Sequence, residues 1–256
     1  MVKICALASG SNGNCYYIGN SANAVLIDAG ISCRQVLSRM AAKNLDPAKV
    51  KAVFVSHEHT DHCSGIKVLG KKLGIPVYMT SRTCDRILPD QQATDTQKFA
   101  PGDTITIGNL AIHSFLKKHD AAEPCSFRIE HEGISVGVFT DIGLSCNRVH
   151  HHLSQCHALF LESNYDEEML WTGSYPYFLK ARISSDYGHL SNHQAMELLR
   201  QYHHPALQVV LLSHLSAENN RPEIAVSAFD ELRTRFTIEV TDRYAASKVY
   251  TVKHAV

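Results

Sequence analysis

The sequence predicts an α/β (α+β) protein in which short buried strands alternate with helices. Five short apolar runs each end in a polar or charged residue, at 24–28, 52–57, 136–141, 158–162 and 209–214. Continuous apolar runs of this length are typical of strands that are covered on both faces. Helical patterns between the runs indicate two βαβ-like halves that fit a sandwich. The polar strand ends would meet at one rim, where loops can place chemistry on a rigid scaffold.

The elements follow one another without a linker or a low-complexity stretch. An N-terminal strand leads to the Gly/Asn/Ser-rich segment 9–14, which indicates a turn. Ser32 is expected to cap a helix through Lys43, and a second helix is expected from Asp61 to Leu73. The later elements are strands at 103–107 and 110–116, a helix from Ser191 through Tyr202, a long helix over 222–235, and strands at 237–240 and 248–252.

Composition indicates an ordinary soluble protein with a single domain over residues 1–256. The chain is 45% hydrophobic and 20% charged, and a sandwich commonly reaches this length. No apolar run approaches the roughly 20 residues of a spanning helix, and the N-terminal sequence lacks the features of a signal peptide. Eight cysteines without a CxxC pair predict free thiols rather than a cysteine zinc site. We therefore expect a cytoplasmic protein with no membrane contact.

The most informative segment is His57-Glu58-His59-Thr60-Asp61-His62, which directly follows the apolar run 52–55. Three imidazoles and a carboxylate in H-x-H-x-D-H spacing are ligands that suit zinc, manganese or iron around a reactive water. In this spacing the first two histidines reach one metal, and the aspartate and the last histidine reach a second. The alternative interpretation is a surface histidine cluster.

This segment resembles the signature of the metallo-β-lactamase superfamily. The resemblance implies a four-layer αββα sandwich with the metals at one edge, and it requires four more motifs in a fixed order. The sequence contains them as Asp28 in VLIDAG, His119 in KHDA, Asp141 in VFTDIG and His214 in VVLLSH. The motifs span residues 25–214, which is most of the chain.

Further segments resemble the nuclease branch of this superfamily, which includes tRNase Z and RNase J. SGSNGNC, KHDAAEP, ESNYDEEML, GHLSN and SHLSAENN together are similar to the YycJ/WalJ-like members, which implies a 5′ to 3′ DNA exonuclease. Two features of the branch are missing. Residues 165–189 leave no space for a β-CASP insertion of the RNase J size, and there is no flexible arm like that of tRNase Z. Any nucleic acid must therefore be held by the site and its own loops.

The resemblance implies two divalent ions, zinc or manganese, and a hydroxide between them that attacks phosphorus. The implied metal ligands are His57, His59 and His119 for one ion, Asp61, His62 and His214 for the other, and Asp141 as the bridge. The residues expected to be catalytic are Asp61, Asp141 and His189. His189 would orient the phosphate or protonate the leaving oxygen, unless it only caps the following helix.

Two further segments could support such a site. Asp28 is expected to orient a ligand histidine, although a turn or cap residue is the alternative. The loop 9–14 could present backbone N–H groups to a phosphate or could be a plain turn.

Charge argues weakly against a nucleic-acid partner, because 25 basic and 25 acidic residues leave no net positive field. Local groups could still hold DNA. They are Lys67, Lys71 and Lys72 on one helix, Lys117 and Lys118 beside His119, and Trp171, Tyr175, Tyr177 and Phe178 followed by Lys180 and Arg182. The aromatic residues could stack on bases or could form a flap over the core.

Three functional hypotheses follow. The first is a phosphodiesterase of the nuclease class that acts on DNA. The second is a hydrolase of a small substrate such as a cyclic phosphodiester, a lactone or a thioester, because the metal ligands do not fix the substrate. The third is a metal-holding binding protein without turnover. Protein partners are not predicted.

Overall fold

The structure is a computed structural model that describes residues 1–254, and within that range two mixed sheets of seven strands pack face to face. The first sheet has the spatial order β14-β1-β2-β3-β4-β5-β6. Its strands are β1 Val2–Ala8, β2 Cys15–Gly19, β3 Ala24–Ile27, β4 Val50–Phe54, β5 Val77–Thr80, β6 Thr96–Phe99 and β14 Tyr250–Val252.

The second sheet has the spatial order β13-β12-β11-β10-β9-β8-β7. Its strands are β7 Thr104–Ile107, β8 Leu110–Leu116, β9 Cys125–His131, β10 Ile134–Phe139, β11 Ala158–Glu162, β12 Val209–Ser213 and β13 Thr237–Val240. The five apolar runs of the sequence thus form β3, β4, β10, β11 and β12, which confirms the predicted strands.

Helices connect the strands and cover the outer faces of both sheets. They are α1 Cys33–Ala42, α2 Thr60–Cys63, α3 Ile66–Leu73, α4 Ser81–Arg86, α5 Asn147–Leu153, α6 Glu167–Thr172, α7 Tyr177–Ile183, α8 Asn192–Tyr202 and α9 Pro222–Ser227, with 3-10 turns at Pro47–Lys49 and Asp230–Leu232. Ser32 and Ser191 cap α1 and α8 as predicted, each in a capping box. None of the helices between residues 1 and 254 has the length and hydrophobicity that a bilayer crossing needs.

The core has three parts, and together they confirm the predicted four-layer αββα sandwich. The first sheet packs on α1 and α3, and the second sheet packs on α5, α8 and α9. Between the sheets, Phe54 meets Phe127 with ring centroids 5.8 Å apart, and Tyr16 meets Phe160 at 4.8 Å. That the whole chain 1–256 is one domain stays a prediction.

The strand β4 shows why its sequence is apolar at nearly every position. Ala52 and Phe54 face the second sheet, whereas Val53 and Val55 face the helices. Successive side chains of a strand point to opposite faces, so burial of both faces requires a continuous apolar run.

The predicted ends of two helices and the predicted start of the last strand were wrong. The helix expected over 61–73 is interrupted at Gly65, whose amide donates to the carbonyl of Ala29 at 2.8 Å. A Cβ at Gly65 would lie only 2.1 Å from the carbonyl oxygen of Ile31, so this turn is fixed by a distant segment and not by local propensity. The helix expected over 222–235 ends at Ser227, and a 3-10 turn follows. The last strand begins at Tyr250 and not at residue 248.

Strand direction determines where the functional side chains lie. β3 and β4 are parallel, and β10, β11 and β12 are parallel. Because the carboxyl ends of parallel strands meet at one edge of a sheet, the residues that follow these strands converge there.

Candidate metal centre

Three predicted site residues follow strands in a backbone conformation that is rare for side chains other than glycine. Asp28 has φ 60°, Asp141 has φ 56° and His214 has φ 57°. Such left-handed residues cost free energy and cluster at functional sites, where they aim a side chain that a regular strand would point elsewhere. They lie at the ends of β3, β10 and β12 and turn their side chains toward the rim between the sheets.

The first cluster of possible ligands contains His57, His59 and His119, whose candidate ligand atoms lie within 4.8 Å of one another. Nε2 of His57 is 3.0 Å from Nδ1 of His59. His57 and His59 come from the loop after β4, and His119 comes from the loop after β8. The structure therefore brings together the three residues that the sequence assigned to one ion.

The second cluster contains Asp61, His62 and His214, which also meet the 4.8 Å limit. Oδ2 of Asp61 is 3.4 Å from Nε2 of His62 and 3.5 Å from Nε2 of His214. Both histidines are buried, and the Asp61 side chain is 23% exposed. Each cluster thus has one partly exposed member, His59 in the first and Asp61 in the second, through which solvent and a substrate can reach it.

Asp141 lies between the two clusters. Its Oδ2 is 3.3 Å from Nε2 of His62, and its Oδ1 is 3.4 Å from Nε2 of His214 and 3.9 Å from Nε2 of His119. A carboxylate in this position can serve both clusters, which is the placement that the resemblance implied for it.

The donor atoms fit a pair of divalent cations. Nε2 of His119, Oδ2 of Asp141 and Nε2 of His214 are buried, and among residues 1–254 they have no hydrogen-bond partner. Buried polar atoms are almost always paired, and these three face other donors at 3.3–3.9 Å without forming hydrogen bonds. Imidazole and carboxylate groups that point at a common centre in this way have the geometry of a metal site.

Hydrogen bonds on the opposite ring nitrogens orient the imidazoles. Nδ1 of His62 lies 2.8 Å from Oδ2 of Asp28, and Nδ1 of His119 lies 3.1 Å from the carbonyl oxygen of Gly188. Nδ1 of His57 lies 2.9 Å from Oγ of Ser56. When Nδ1 carries the proton and donates, Nε2 presents its lone pair to the cluster.

Charge and burial set the protonation of the site in two different ways. Burial lowers the pKa of His57 well below its usual value and that of His119 to about 3, so these two imidazoles are neutral, the form that binds metals. For His214, burial acts downward, but the neighbouring carboxylates of Asp141, Asp61 and Glu162 raise the pKa to about 10. The carboxylates therefore favour positive charge in the second cluster, and a divalent cation would supply it.

Asp28 is fully buried and positions His62. It accepts hydrogen bonds from the amide of Ser56 at 2.7 Å, from Oγ of Ser56 at 2.9 Å and from Nδ1 of His62 at 2.8 Å. We expect Asp28→Asn to weaken metal binding by about 10–100-fold, because the amide cannot fix the same imidazole tautomer. Titration of the metal-free protein with zinc, read out by a competing chelator dye, would measure this change. Unchanged affinity in a folded variant would refute the role of Asp28.

His189 pairs with a buried glutamate that the sequence analysis did not single out. Nδ1 of His189 lies 2.8 Å from Oε1 of Glu162, and Oε2 of Glu162 accepts from the amide of Ile142 at 2.7 Å. Burial opposes ionisation of Glu162, but the charge and hydrogen bond of His189 outweigh it and lower the pKa of Glu162 to about 2. The signal that could have identified Glu162 is its position at the end of β11, where neighbouring strands end in Asp and His.

Comparison with known proteins agrees with this geometry. Residues 23–215 match the family model described as the beta-lactamase superfamily domain. The chain belongs to the beta-lactamase superfamily. Exodeoxyribonuclease WalJ of Streptococcus pneumoniae strain R6 is 35% identical over 228 residues, which cover 87% of this chain and 85% of WalJ. Exodeoxyribonuclease YycJ of Bacillus anthracis is 36% identical over 223 residues, which cover 86% of this chain and 84% of YycJ. The predicted YycJ/WalJ-like branch is thereby confirmed.

Solved structures of other superfamily members share the fold. The metallo-beta-lactamase fold protein YhfI from Bacillus subtilis superposes with a TM-score of 0.73 and 16% identity over 97% of this chain and all of YhfI. The short form of human tRNase Z gives a TM-score of 0.67 and 12% identity over 97% of this chain and all of that chain. At these identities the likeness shows the fold alone.

In this superfamily member the loop 9–14 forms hydrogen bonds with two residues of the candidate metal centre. Oγ of Ser9 accepts from the amide of His214 at 2.8 Å, and Nδ2 of Asn14 donates to Oδ2 of Asp61 at 3.2 Å. The amide of Gly30 donates to the carbonyl oxygen of Asn14 in the same loop at 2.9 Å, and a Cβ at Gly30 would lie 1.6 Å from the carbonyl oxygen of Asp61. Gly30, the last residue of the VLIDAG motif, therefore permits the close approach of the segment that carries Asp61.

Lys117 is not part of a surface patch, so that prediction was wrong. Its side chain is buried, and Nζ donates to the carbonyl oxygen of Thr140 at 2.7 Å. Lys117 thereby supports the turn that leads to Asp141 and is not available to a phosphate. Lys67, Lys71 and Lys72 are exposed on α3, as predicted.

Proposed function

We propose that this protein is a metal-dependent exodeoxyribonuclease that removes nucleotides from the 5′ end of DNA by phosphodiester hydrolysis. The main observation behind the proposal is that two ligand clusters lie together with a further histidine, His189. Nδ1 of His189 is 2.8 Å from Oε1 of the buried Glu162. The two relatives named as exodeoxyribonucleases, at 35% and 36% identity, support DNA as the substrate.

In this proposal seven side chains hold two ions, zinc or manganese. The first ion is assigned to His57, His59 and His119, the second to Asp61, His62 and His214, and Asp141 lies between them. When bound, the ions supply Lewis acidity toward phosphate oxygens and lower the pKa of a coordinated water. Asp61 and Asp141 are assigned as catalytic because their carboxylates would hold the ions beside the phosphate that is hydrolysed.

His189 supplies the proton for the leaving oxygen. Since Nδ1 is paired with Glu162, Nε2 is the ring nitrogen that can donate, and the His189 side chain is 20% exposed. As the bond between phosphorus and the leaving sugar oxygen breaks, that oxygen gains negative charge and accepts this proton. The Glu162 carboxylate stabilises the charged imidazole before the transfer and keeps the ring oriented.

We place the protein in the cytoplasm, where its proposed substrate is found. All eight cysteines lie within the described residues as free thiols. This state fits a reducing compartment.

One assay separates this function from its competitors. Purified, metal-loaded protein is incubated with 5′-labelled duplex DNA, with 5′-labelled single-stranded DNA and with bis-p-nitrophenyl phosphate. Stepwise release of labelled mononucleotides from the 5′ end supports the proposal. Cleavage of the small ester without any shortening of DNA would instead support a small-substrate hydrolase. Metal binding without turnover of any ester would leave a binding protein.

A further inference from the structure

Large aromatic side chains are exposed along one short stretch of the chain. Of the five exposed aromatic residues among residues 1–254, four lie between positions 171 and 187. Trp171 is 47% exposed, Tyr177 76%, Phe178 73% and Tyr187 56%. We call these four residues the aromatic platform. A flap over the core, which was the alternative for this segment, would have buried these rings.

Two rings of the platform meet only at an oblique angle. The ring centroids of Trp171 and Tyr177 are 6.2 Å apart with an interplanar angle of 45°, so the two rings do not cover each other. Isolated exposed apolar residues are ordinary, but four exposed rings on one short stretch of the chain indicate a binding surface. Aromatic rings in place of aliphatic side chains favour a ligand with flat faces.

Cationic groups accompany the rings. Nζ of Lys118 lies 5.9 Å above the ring of Tyr187. The Arg182 side chain is 60% exposed although it pairs with Asp120. A nucleotide could place the flat face of its base on one of these rings and its phosphate near Lys118 or Arg182.

The chain segment that carries the platform is hydrogen-bonded to the metal centre. The carbonyl of Ile183, the last residue of α7, accepts from the amide of His189 at 2.9 Å, and the carbonyl of Gly188 is 3.1 Å from Nδ1 of His119. From Tyr177 to Ile183 the helix rises about 9 Å at ~1.5 Å per residue. At about 3.4 Å per stacked nucleotide, this length corresponds to roughly three nucleotides.

We propose that the aromatic platform binds unpaired bases of the DNA strand that is being cleaved, within a few nucleotides of the metal centre. This inference rests on the proposed nuclease function and adds the state of its substrate. Within a duplex the faces of the bases are covered by their neighbours, so only a single strand or a frayed end can stack on exposed rings. The platform would replace the stacking that the strand loses when it leaves the duplex.

Trp171 provides a direct test, because it is the one tryptophan in the sequence. The full-length protein, kept in EDTA so that nothing is cleaved, is titrated with an oligothymidylate and with an abasic oligonucleotide of equal length. Saturable quenching of the Trp171 fluorescence by the first and not by the second is expected. Equal quenching by both, or by neither, would overturn the proposal. A blunt duplex shows whether unpaired bases at a frayed end bind as those of a single strand do. It quenches the Trp171 fluorescence only if its ends fray.

Two paired variants show whether aromatic faces are responsible. Tyr177→Leu with Phe178→Leu keeps bulk but removes the flat faces, and it should weaken oligothymidylate binding by about 10–100-fold. Tyr177→Phe with Phe178→Tyr keeps both faces and should bind like the wild type. Circular dichroism and metal content check that each variant is folded. Equal affinity of the leucine pair and the wild type would refute base stacking on this surface.

The outcome for the platform is independent of the outcome for the nuclease. If the wild type binds the oligonucleotide through Trp171 but releases no nucleotides when metal is present, the proposed function fails and the platform stands. The ratio of DNA turnover to small-ester turnover is then compared between the wild type and the leucine pair. If both proteins degrade DNA and this ratio is the same, the proposal for the platform is wrong and the proposed nuclease function is supported.

Discussion

Asp61→Ala is expected to remove one metal ion per chain and to abolish hydrolysis of DNA. Oδ2 of Asp61 lies within 3.5 Å of the ring nitrogens of both His62 and His214, so its loss leaves the second cluster without its own carboxylate. Metal ions contribute several kcal/mol of charge stabilisation in such reactions, which corresponds to a rate decrease of at least about 10³-fold. Metal content by mass spectrometry and 5′-end nucleotide release would be measured on the same preparation.

His59→Ala tests the first cluster in the same way. Nδ1 of His59 is 3.0 Å from Nε2 of His57, so the variant should lose the ion assigned to these residues. Asp85→Ala on α4 and His151→Ala on α5 are matched controls, because both residues are exposed. Full activity and full metal content in either ligand variant would contradict the assignment.

His189→Ala should have a different effect, because it should keep both ions and slow the reaction by about 10²–10⁴-fold. His189 contacts Glu162 through Nδ1. Its ring also lies within 4.8 Å of ligand atoms of Asp141, Glu162 and His214, but the proposal assigns both ions to other side chains. His193→Ala, an exposed histidine on α8, is the control for a lost imidazole. Turnover of DNA at the wild-type rate would exclude His189 from the mechanism, and a loss of metal would show that it acts as a ligand.

Glu162→Gln refines this prediction. The amide keeps the size of the side chain but removes the charge that stabilises the His189 imidazolium. If both residues act through one proton transfer, the double variant Glu162→Gln with His189→Ala should be hardly slower than His189→Ala alone, since effects within one unit are not additive. Multiplicative losses would show that Glu162 acts mainly through His214, with which it also makes contact at 3.3 Å.

Much of the fold and of the candidate site could be predicted from the sequence, because both depend on strong local signals. A run such as Val209–Ser213 is apolar at every position up to its end, which indicates a strand with two covered faces. Potential metal ligands lie so close together in the sequence from His57 to His62 that few patterns other than a metal site explain them. Strand direction then brings Asp141 and His214 to the same rim as His57.

The remaining features depend on contacts between distant segments. The break at Gly65 is set by the carbonyls of Ala29 and Ile31, and local propensity gives no sign of them. Lys117 resembles any surface lysine in sequence, and its burial follows from the turn at Thr140. Glu162 ends the apolar run 158–162 and begins the segment ESNYDEEML, but neither pattern specifies its partner, which is shown by its 2.8 Å contact with His189.

Anomalous diffraction from crystals grown with zinc or manganese tests the central claim most directly. The account predicts two peaks at the rim between the sheets, one bound by His57, His59 and His119, the other bound by Asp61, His62 and His214, and Asp141 in contact with both. Saturating metal with no peak at these residues, or a single ion bound elsewhere, would contradict it.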